Sequence, residues 1–293
     1  MAYVTATDGT RLWVEEAGSG SAILFIHEFA GDHRSWEPQL RAFARRHRCI
    51  VYAARGYPPS DVPADPAAYS QDHAVADALA VLDGLGIARA HVVGLSMGGF
   101  AALHLGRLHP ARTLSVTAAG AGYGAERQHR ANFHETAMAA ARNFAEQGAA
   151  TYGRTYALSA ARVQYQNKDP RGWAEFAERL SAHDSVGAAN TLRGYQAMRP
   201  SLYDFEDDFR AMDVPVLVIN GDEDDHCLMP GLFLKRTLPR CGLAVLPRTG
   251  HTINLEEAEP FNRLLAEFIA SVEAGRCDRR DPRANPAEAM KTA

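Results

Sequence analysis

The chain has 293 residues, 46% hydrophobic and 23% charged, which is enough apolar content for a substantial buried core. Its formal net charge of −4 and pI near 6.3 offer no broad positive field for phosphates, so a nucleic-acid partner is not expected. At about 150 residues per domain the length admits two domains, although open α/β sheets reach this size as one.

Ala22 to His27 (AILFIH) and Cys49 to Ala53 (CIVYA) are nearly continuous apolar runs and predict buried strands. Between Ser70 and Leu85, Val75, Ala78, Leu79 and Leu82 recur at helical spacing and Ser70 can cap the first turn, which predicts a crossover helix. A third strand, His91 to Leu95, is followed by a helix from Met97 to His109 that Pro110 stops, and then by a strand from Thr113 to Ala118. This alternation predicts a parallel sheet with crossover helices.

The alternation breaks between residues 124 and 200, an Ala-, Arg- and Glu-rich stretch with several helical patterns and no strand. It resumes at Val214 to Asn220 and Leu243 to Leu246 and closes with a helix from Glu256 to Glu273. The predicted organisation is a core formed by 1–123 and 201–272, a helical insertion at 124–200, and a charged, Pro-bearing tail at 273–293 that is expected to stay unordered.

Cys49, Cys227, Cys241 and Cys277 lack the close pairs of zinc ribbons and disulfide scaffolds and read as reduced thiols. The N-terminal sequence MAYVTATDGTRLWVEEAG has no basic start followed by an apolar core, and no stretch approaches the roughly 18 apolar residues of a membrane span. The expectation is a soluble, cytoplasmic protein with no membrane partner, as a monomer or a homodimer.

Gly94-Leu95-Ser96-Met97-Gly98 fits G-x-S-x-G where a predicted strand passes into a predicted helix. A serine at such an apex sits in strained backbone, side chains at the flanking positions would collide with strand and helix, and the helix N-terminus faces any anion formed there. A bland alternative is a close-packed glycine turn whose serine only caps the helix.

With His27-Glu28-Phe29, Trp36, Arg55-Gly56, the Ser96 turn, Gly221-Asp222-Glu223-Asp224 and Gly250-His251, the chain resembles the α/β-hydrolase superfamily from about residue 3 to residue 272, with enol-lactonase-type members among the likenesses. The resemblance implies an α/β fold with a mostly parallel eight-stranded sheet flanked by helices and an inserted helical lid. It also implies Ser96 as nucleophile and the chain order nucleophile, acid, base.

A serine hydroxyl needs a base and a group that orients the base. His251 follows Gly250 in the loop after LAVLPRT and is the expected base. His104 and His109 lie in the helix after Ser96, while His129, His134 and His183 fall in the polar insertion, where exposed imidazoles are the commoner case. The acid comes from Asp222, Glu223, Asp224 and Asp225, and the resemblance points to Asp224, three residues after Gly221, with Asp225 as runner-up. Asp222 and Asp225 otherwise read as part of a solvated turn capping a helix that begins near Pro230.

Backbone N–H groups of Met97 and Phe29 are the expected oxyanion donors. The superfamily has His-Gly at the start of this loop, and here Glu28 replaces the glycine. Its carboxylate either points to solvent or pairs with an arginine such as Arg55, or else it positions a substrate group or a water. Glu28, Trp36 and Tyr57 are the candidate substrate-binding residues. Of Phe133, Met138, Phe144, Tyr152, Tyr156, Tyr165, Trp173, Phe176 and Tyr195 in the insertion, only a minority are expected to face a pocket, because helical spacing of aromatics usually means packing.

H-E-x-x-H is not completed at His27-Glu28, where Gly31 stands, or at His134-Glu135, where Met138 stands, and Asp222, Asp224, Asp225 and His226 form one contiguous loop. No metal and no cofactor are expected. The expected activity is hydrolysis of a small ester through an acyl-enzyme, with lactone opening, C–C hydrolysis, perhydrolysis and a non-turnover receptor for a small ligand as alternatives.

Overall fold

The computed structural model describes residues 2–284. In chain order it contains β1 (Ala2–Thr5), β2 (Arg11–Ala17), β3 (Ala22–Ile26), α1 (Glu37–Phe43), β4 (Arg48–Tyr52), α2 (Gln71–Gly84), β5 (Ala90–Leu95), α3 (Met97–Leu108) and β6 (Thr113–Ala119). Then come α4 (Arg130–Gln147), α5 (Ala149–Ala157), α6 (Val163–Lys168), α7 (Pro170–Ser181), α8 (Ser185–Asn190) and a π-helical turn, Thr191–Gln196. The chain continues with α9 (Glu206–Ala211), β7 (Val216–Gly221), α10 (Asp225–Thr237), β8 (Cys241–Leu246), α11 (Ile253–Glu256) and α12 (Ala258–Glu273).

The strands form one eight-stranded sheet in the order β1-β2-β4-β3-β5-β6-β7-β8. β2 runs antiparallel to β1 and β4, and every pair from β4 to β8 is parallel. All six predicted strands are present. The hairpin β1–β2 adds two strands beyond those six and leaves no continuous apolar run in the sequence, because β2, RLWVEEA, alternates buried and partly exposed positions.

The continuous runs reflect burial on both faces. Leu24, Ile26, Ile50, Tyr52, Val92, Val116 and Val218 pack on one side with α2, α3, α9 and α10. Their neighbours Ile23, Phe25, Cys49, Val51, Val93 and Ile219 pack on the other side with Leu40, Phe43, Phe261, Leu265 and Ile269 of α1 and α12. Trp36 belongs to this second layer. It is fully buried, with ring centroids 5.1 Å from Phe25 and 6.1 Å from Phe261.

The helical segment between β6 and β7 packs over the carboxyl ends of β3, β4 and β5. Phe29, Ala53, Tyr57 and Met97, which follow those strands, share an apolar cluster with Phe144, Tyr165, Phe176, Leu180 and Tyr195. In an open α/β sheet this end is where ligands bind. After α12, the Arg240 side chain donates to the Cys277 carbonyl and Arg280 N–H donates to the Pro239 carbonyl at 3.0 Å. Residues 285–293 of the expected tail lie outside the described residues.

Candidate active site

Ser96 lies between β5 and α3 at φ 52° and ψ −115°, in the region that disfavours a side chain. Its N–H donates to the Ala119 carbonyl at 2.8 Å, and its own carbonyl accepts from Phe100 N–H at 3.0 Å. The two glycines of the motif are sterically required. A Cβ on Gly94 would stand 2.0 Å from the Gly98 carbonyl oxygen, and one on Gly98 would stand 2.1 Å from that of Ile26. Met97 is the first residue of α3, where the backbone N–H has no intrahelical acceptor.

His251 follows β8. Its N–H donates to the Ala161 carbonyl of the inserted segment at 2.8 Å, and its ring lies against Gly120, where a Cβ would be 3.3 Å from Nδ1 and Cε1. Its Nδ1 is 2.7 Å from Oδ2 of Asp224, which immediately precedes α10 and is 4% exposed. Burial alone would lower the imidazole and raise the carboxyl. The attraction and hydrogen bond between the two overcome both penalties, so His251 sits above its ordinary value and Asp224 below. Glu28 adds to the rise at His251, Arg162 opposes it, and the Cys227 thiol hydrogen-bonds Asp224.

Asp225, by contrast, is exposed, and Asp222 accepts from Thr249 N–H at 3.1 Å. The helix after this loop begins at Asp225 and not near Pro230, which lies inside it.

Asp224, Cys227 and His251 place possible metal-ligand atoms within 4.8 Å of one another. Burial, with Asp224 beside it, pushes the Cys227 thiol well above its ordinary value and disfavours the thiolate a metal needs. The Nδ1 and carboxylate atoms are meanwhile engaged with each other.

His27 and Tyr57 fix the loop after β3. Ala54 N–H donates to Nε2 of His27 at 3.1 Å, which leaves the proton on Nδ1 to donate to the Glu28 carbonyl at 2.7 Å. In the trans Glu28–Phe29 peptide the carbonyl and the Phe29 N–H point opposite ways, so this contact sets the direction of the N–H. The Tyr57 hydroxyl donates to the next carbonyl, that of Phe29, at 2.9 Å.

A cavity of about 290 Å³ is lined by Ser96, Asp224, His251, Glu28 and Phe29 on the core side. Tyr123, Phe133, Tyr156, Arg162, Gln196, Arg199 and His226 are among its other walls. Of the predicted site residues, Ser96, Asp224, His251, Glu28 and Phe29 meet there. Trp36 and Tyr57 do not. Trp36 is buried behind the sheet, because its ring completes the layer between Phe25 and Phe261. Tyr57 lines a separate cavity of about 20 Å³ with Met97 and Tyr195, where the Tyr195 hydroxyl donates to the Met97 carbonyl at 2.7 Å.

Two further expectations are corrected. Glu28 pairs with an arginine, as one reading expected, but the partner is not Arg55. Arg55 binds Asp77 at 2.6 Å and Asp8 at 2.8 Å, while Glu28 pairs with Arg162 of the insertion in a buried contact. His183 is not an exposed imidazole; its side chain is 5% exposed, it lies 3.9 Å from Asp32, and burial lowers its pKa to about 4. As expected, only a minority of the aromatics of the insertion, Phe133 and Tyr156, line the cavity, whereas Phe144, Tyr152, Tyr165, Trp173, Phe176 and Tyr195 pack together above β3 to β5. Arg162 and Arg199 had no local signal, since nothing in an Arg-rich polar stretch distinguishes a guanidinium that turns inward.

A family described as alpha/beta hydrolase fold matches residues 21–258. The 3-oxoadipate enol-lactonase 1 of Acinetobacter baylyi is 27% identical over 273 residues, covering 92% of this chain and 97% of that protein. A non-heme haloperoxidase of Rhodococcus erythropolis is 28% identical over 282 residues, covering 92% of this chain and 100% of its own. Among solved structures, the enol-lactonase from Burkholderia xenovorans has a TM-score of 0.80 at 22% identity and covers 92% of this chain and 100% of that one. The sheet order, the strained serine between β5 and α3 and the match across residues 21–258 agree, and the chain belongs to the α/β-hydrolase fold family.

Proposed function

We propose that the chain is a serine hydrolase that opens a small carboxylic ester or lactone through an acyl-enzyme. One observation carries this: Ser96, held at φ 52° at the start of α3, shares a cavity with His251, whose Nδ1 lies 2.7 Å from the buried carboxylate of Asp224. With Nδ1–H donating to Asp224, the lone pair of His251 is on Nε2, the nitrogen that must act as base.

Ser96 Oγ attacks the substrate carbonyl as Nε2 takes its proton. The oxyanion is held by the N–H groups of Met97 and Phe29, the second aimed by His27 and Tyr57. Collapse expels the alcohol, which receives the proton from His251 and leaves Ser96 acylated. Water then attacks the acyl carbonyl, giving its proton to His251, and the acid departs as Ser96 recovers a proton. In a lactone the alcohol stays attached, and the product is a hydroxy acid or its enol equivalent.

Likeness to 3-oxoadipate enol-lactonase 1 supports the lactone branch, and a cavity of about 290 Å³ suits a small substrate. Residues 124–200 act as the lid. Absence of any helix long and apolar enough to cross a membrane, among the described residues, and four free cysteines support action on small molecules in the cytoplasm.

The test is a panel of p-nitrophenyl esters of varied chain length, lactones and diketones, with Ser96→Ala as the blank. Burst and steady-state release are both expected, and both vanish in Ser96→Ala. Release that survives the substitution rejects the mechanism, and a stoichiometric burst without turnover makes the protein a receptor instead.

A further inference from the structure

Two guanidinium groups line the Ser96 cavity, and only one has a carboxylate partner among the described residues. Arg162 is neutralised by Glu28. Arg199 follows the π-helical turn and is 4% exposed. It donates to two neutral acceptors, the Gln196 side-chain oxygen and the Tyr123 carbonyl, and its Nε has no partner.

Its guanidinium lies 3.8 Å from the Phe100 ring centroid and 4.9 Å from that of Phe133. Burial lowers its pKa to about 10, well above neutrality, so it stays charged. Arg130 donates to the Arg199 carbonyl at 2.7 Å and brings a second positive charge close to Arg199 instead of a counter-charge.

Aromatic faces and neutral oxygens offset part of the cost of burying a cation, but an unmade Nε–H bond and a missing counter-charge remain. A purely structural arginine in such a place would be expected to meet one of the 35 Asp and Glu side chains of the chain. Arg199 nevertheless lines the reaction cavity. Phe100 lies one helical turn after Ser96, so Arg199 stands over the first turn of α3, close to where the reacting carbonyl must sit.

We infer that Arg199 is an anion-recognising residue and that the ester or lactone opened here carries a carboxylate elsewhere in the molecule, an inference that rests on the hydrolase reading of this cavity. The carboxylate supplies the counter-charge that the fold withholds and accepts from the guanidinium fork. Glu28 lines the same cavity without repelling it, since Arg162 neutralises Glu28. A reaction that supplies this substrate must therefore leave a free carboxylate beside the ester or lactone bond, and the hydrolysed product carries at least two.

Binding without turnover is measured by calorimetry on Ser96→Ala, using the monomethyl esters of succinate, glutarate and adipate against the matching dimethyl esters. At least one monoester is expected to bind about 10- to 100-fold more tightly than its neutral partner, in keeping with a hydrogen bond to a charged group. Arg199→Gln is expected to erase that preference. No preference in any pair overturns the inference, as does an Arg199→Gln variant that weakens mono- and diesters alike.

Should Arg199→Gln fail to fold, Arg199→Lys decides, because it keeps the charge and loses the fork. A reduced preference supports recognition, and an unchanged one overturns it. Hydrolysis by the wild-type protein separates the two proposals. Ser96-dependent turnover with no Arg199-dependent preference leaves the hydrolase standing and removes the anion site. An Arg199-dependent preference without turnover does the reverse.

Discussion

The Glu28 carboxylate and the Arg162 guanidinium form an ion pair between the loop after β3 and the inserted helices, with side chains 2% and 5% exposed. The residue before Arg162, Ala161, accepts the N–H of His251 at 2.8 Å. Two consecutive residues of the insertion therefore hold both the loop that carries Phe29 and the loop that carries His251. A carboxylate where the family has glycine is explained by its partner, which comes from a segment more than a hundred residues away.

Breaking this pair should be costly because it leaves one buried charge uncompensated. Arg162→Ala is expected to lower the unfolding free energy by about 3–5 kcal/mol. The double variant Glu28→Gln, Arg162→Met should lose less than Arg162→Ala alone. Urea denaturation of the wild type, Arg162→Ala, the double variant and its two constituent singles measures this, and losses of Glu28→Gln and Arg162→Met that add up to that of the double would show that the two side chains are not coupled.

In the proposed mechanism His251 sets the acid limb of the rate profile, and the same pair tunes it. His251 must be neutral to accept the Ser96 proton, and its pKa lies above the ordinary imidazole value because Asp224 outweighs burial, with help from Glu28. Consequently kcat/KM should rise with pH through that raised value and fall below it. Glu28→Gln removes a negative charge and should move the limb to lower pH, while Arg162→Met should move it higher. A limb that stays in place in both variants contradicts this electrostatic assignment.

Asp224 and Asp225 are adjacent in sequence and opposite in environment. Asp224→Asn is expected to reduce kcat by about 10⁴-fold, since the wrong imidazole tautomer then faces Ser96. Asp225→Asn, at an exposed position, should change kcat by no more than about twofold. Comparable losses in the two variants would reassign the acid.

In the proposed mechanism Tyr57 acts through Phe29. Tyr57→Phe removes the donor to the Phe29 carbonyl and should lower kcat roughly 10-fold, in line with about 1–3 kcal/mol for an unmatched buried acceptor, with KM nearly unchanged. If KM rose while kcat held, Tyr57 would be contacting substrate and its place outside the main cavity would be wrong.

Trp36 should matter to stability alone. Trp36→Ala is expected to cost about 3–5 kcal/mol, with a smaller loss for Trp36→Phe, because the ring fills the layer between Phe25 and Phe261. Relative rates across an acyl-chain series should be the same in Trp36→Phe and the wild-type protein. A changed chain-length preference would return Trp36 to the substrate site.

What the sequence determined by itself were the features governed by local rules. Continuous apolar runs identify strands buried on both faces, as with Ile23 and Leu24 facing opposite layers, and the glycines around Ser96 identify a turn where a Cβ has no room. Such signals need only near neighbours, and they also located the Asp224 and His251 loops at the ends of β7 and β8. The hairpin β1–β2 escaped because half-exposed strands lack that run. Tertiary structure alone decided which way Trp36, Tyr57 and His183 turn, which arginine meets Glu28, and that Arg199 meets no carboxylate among the described residues. These outcomes depend on segments far apart in the chain arriving at one place, and the energy of a charge or ring there depends on its neighbours in space, which sequence position does not encode.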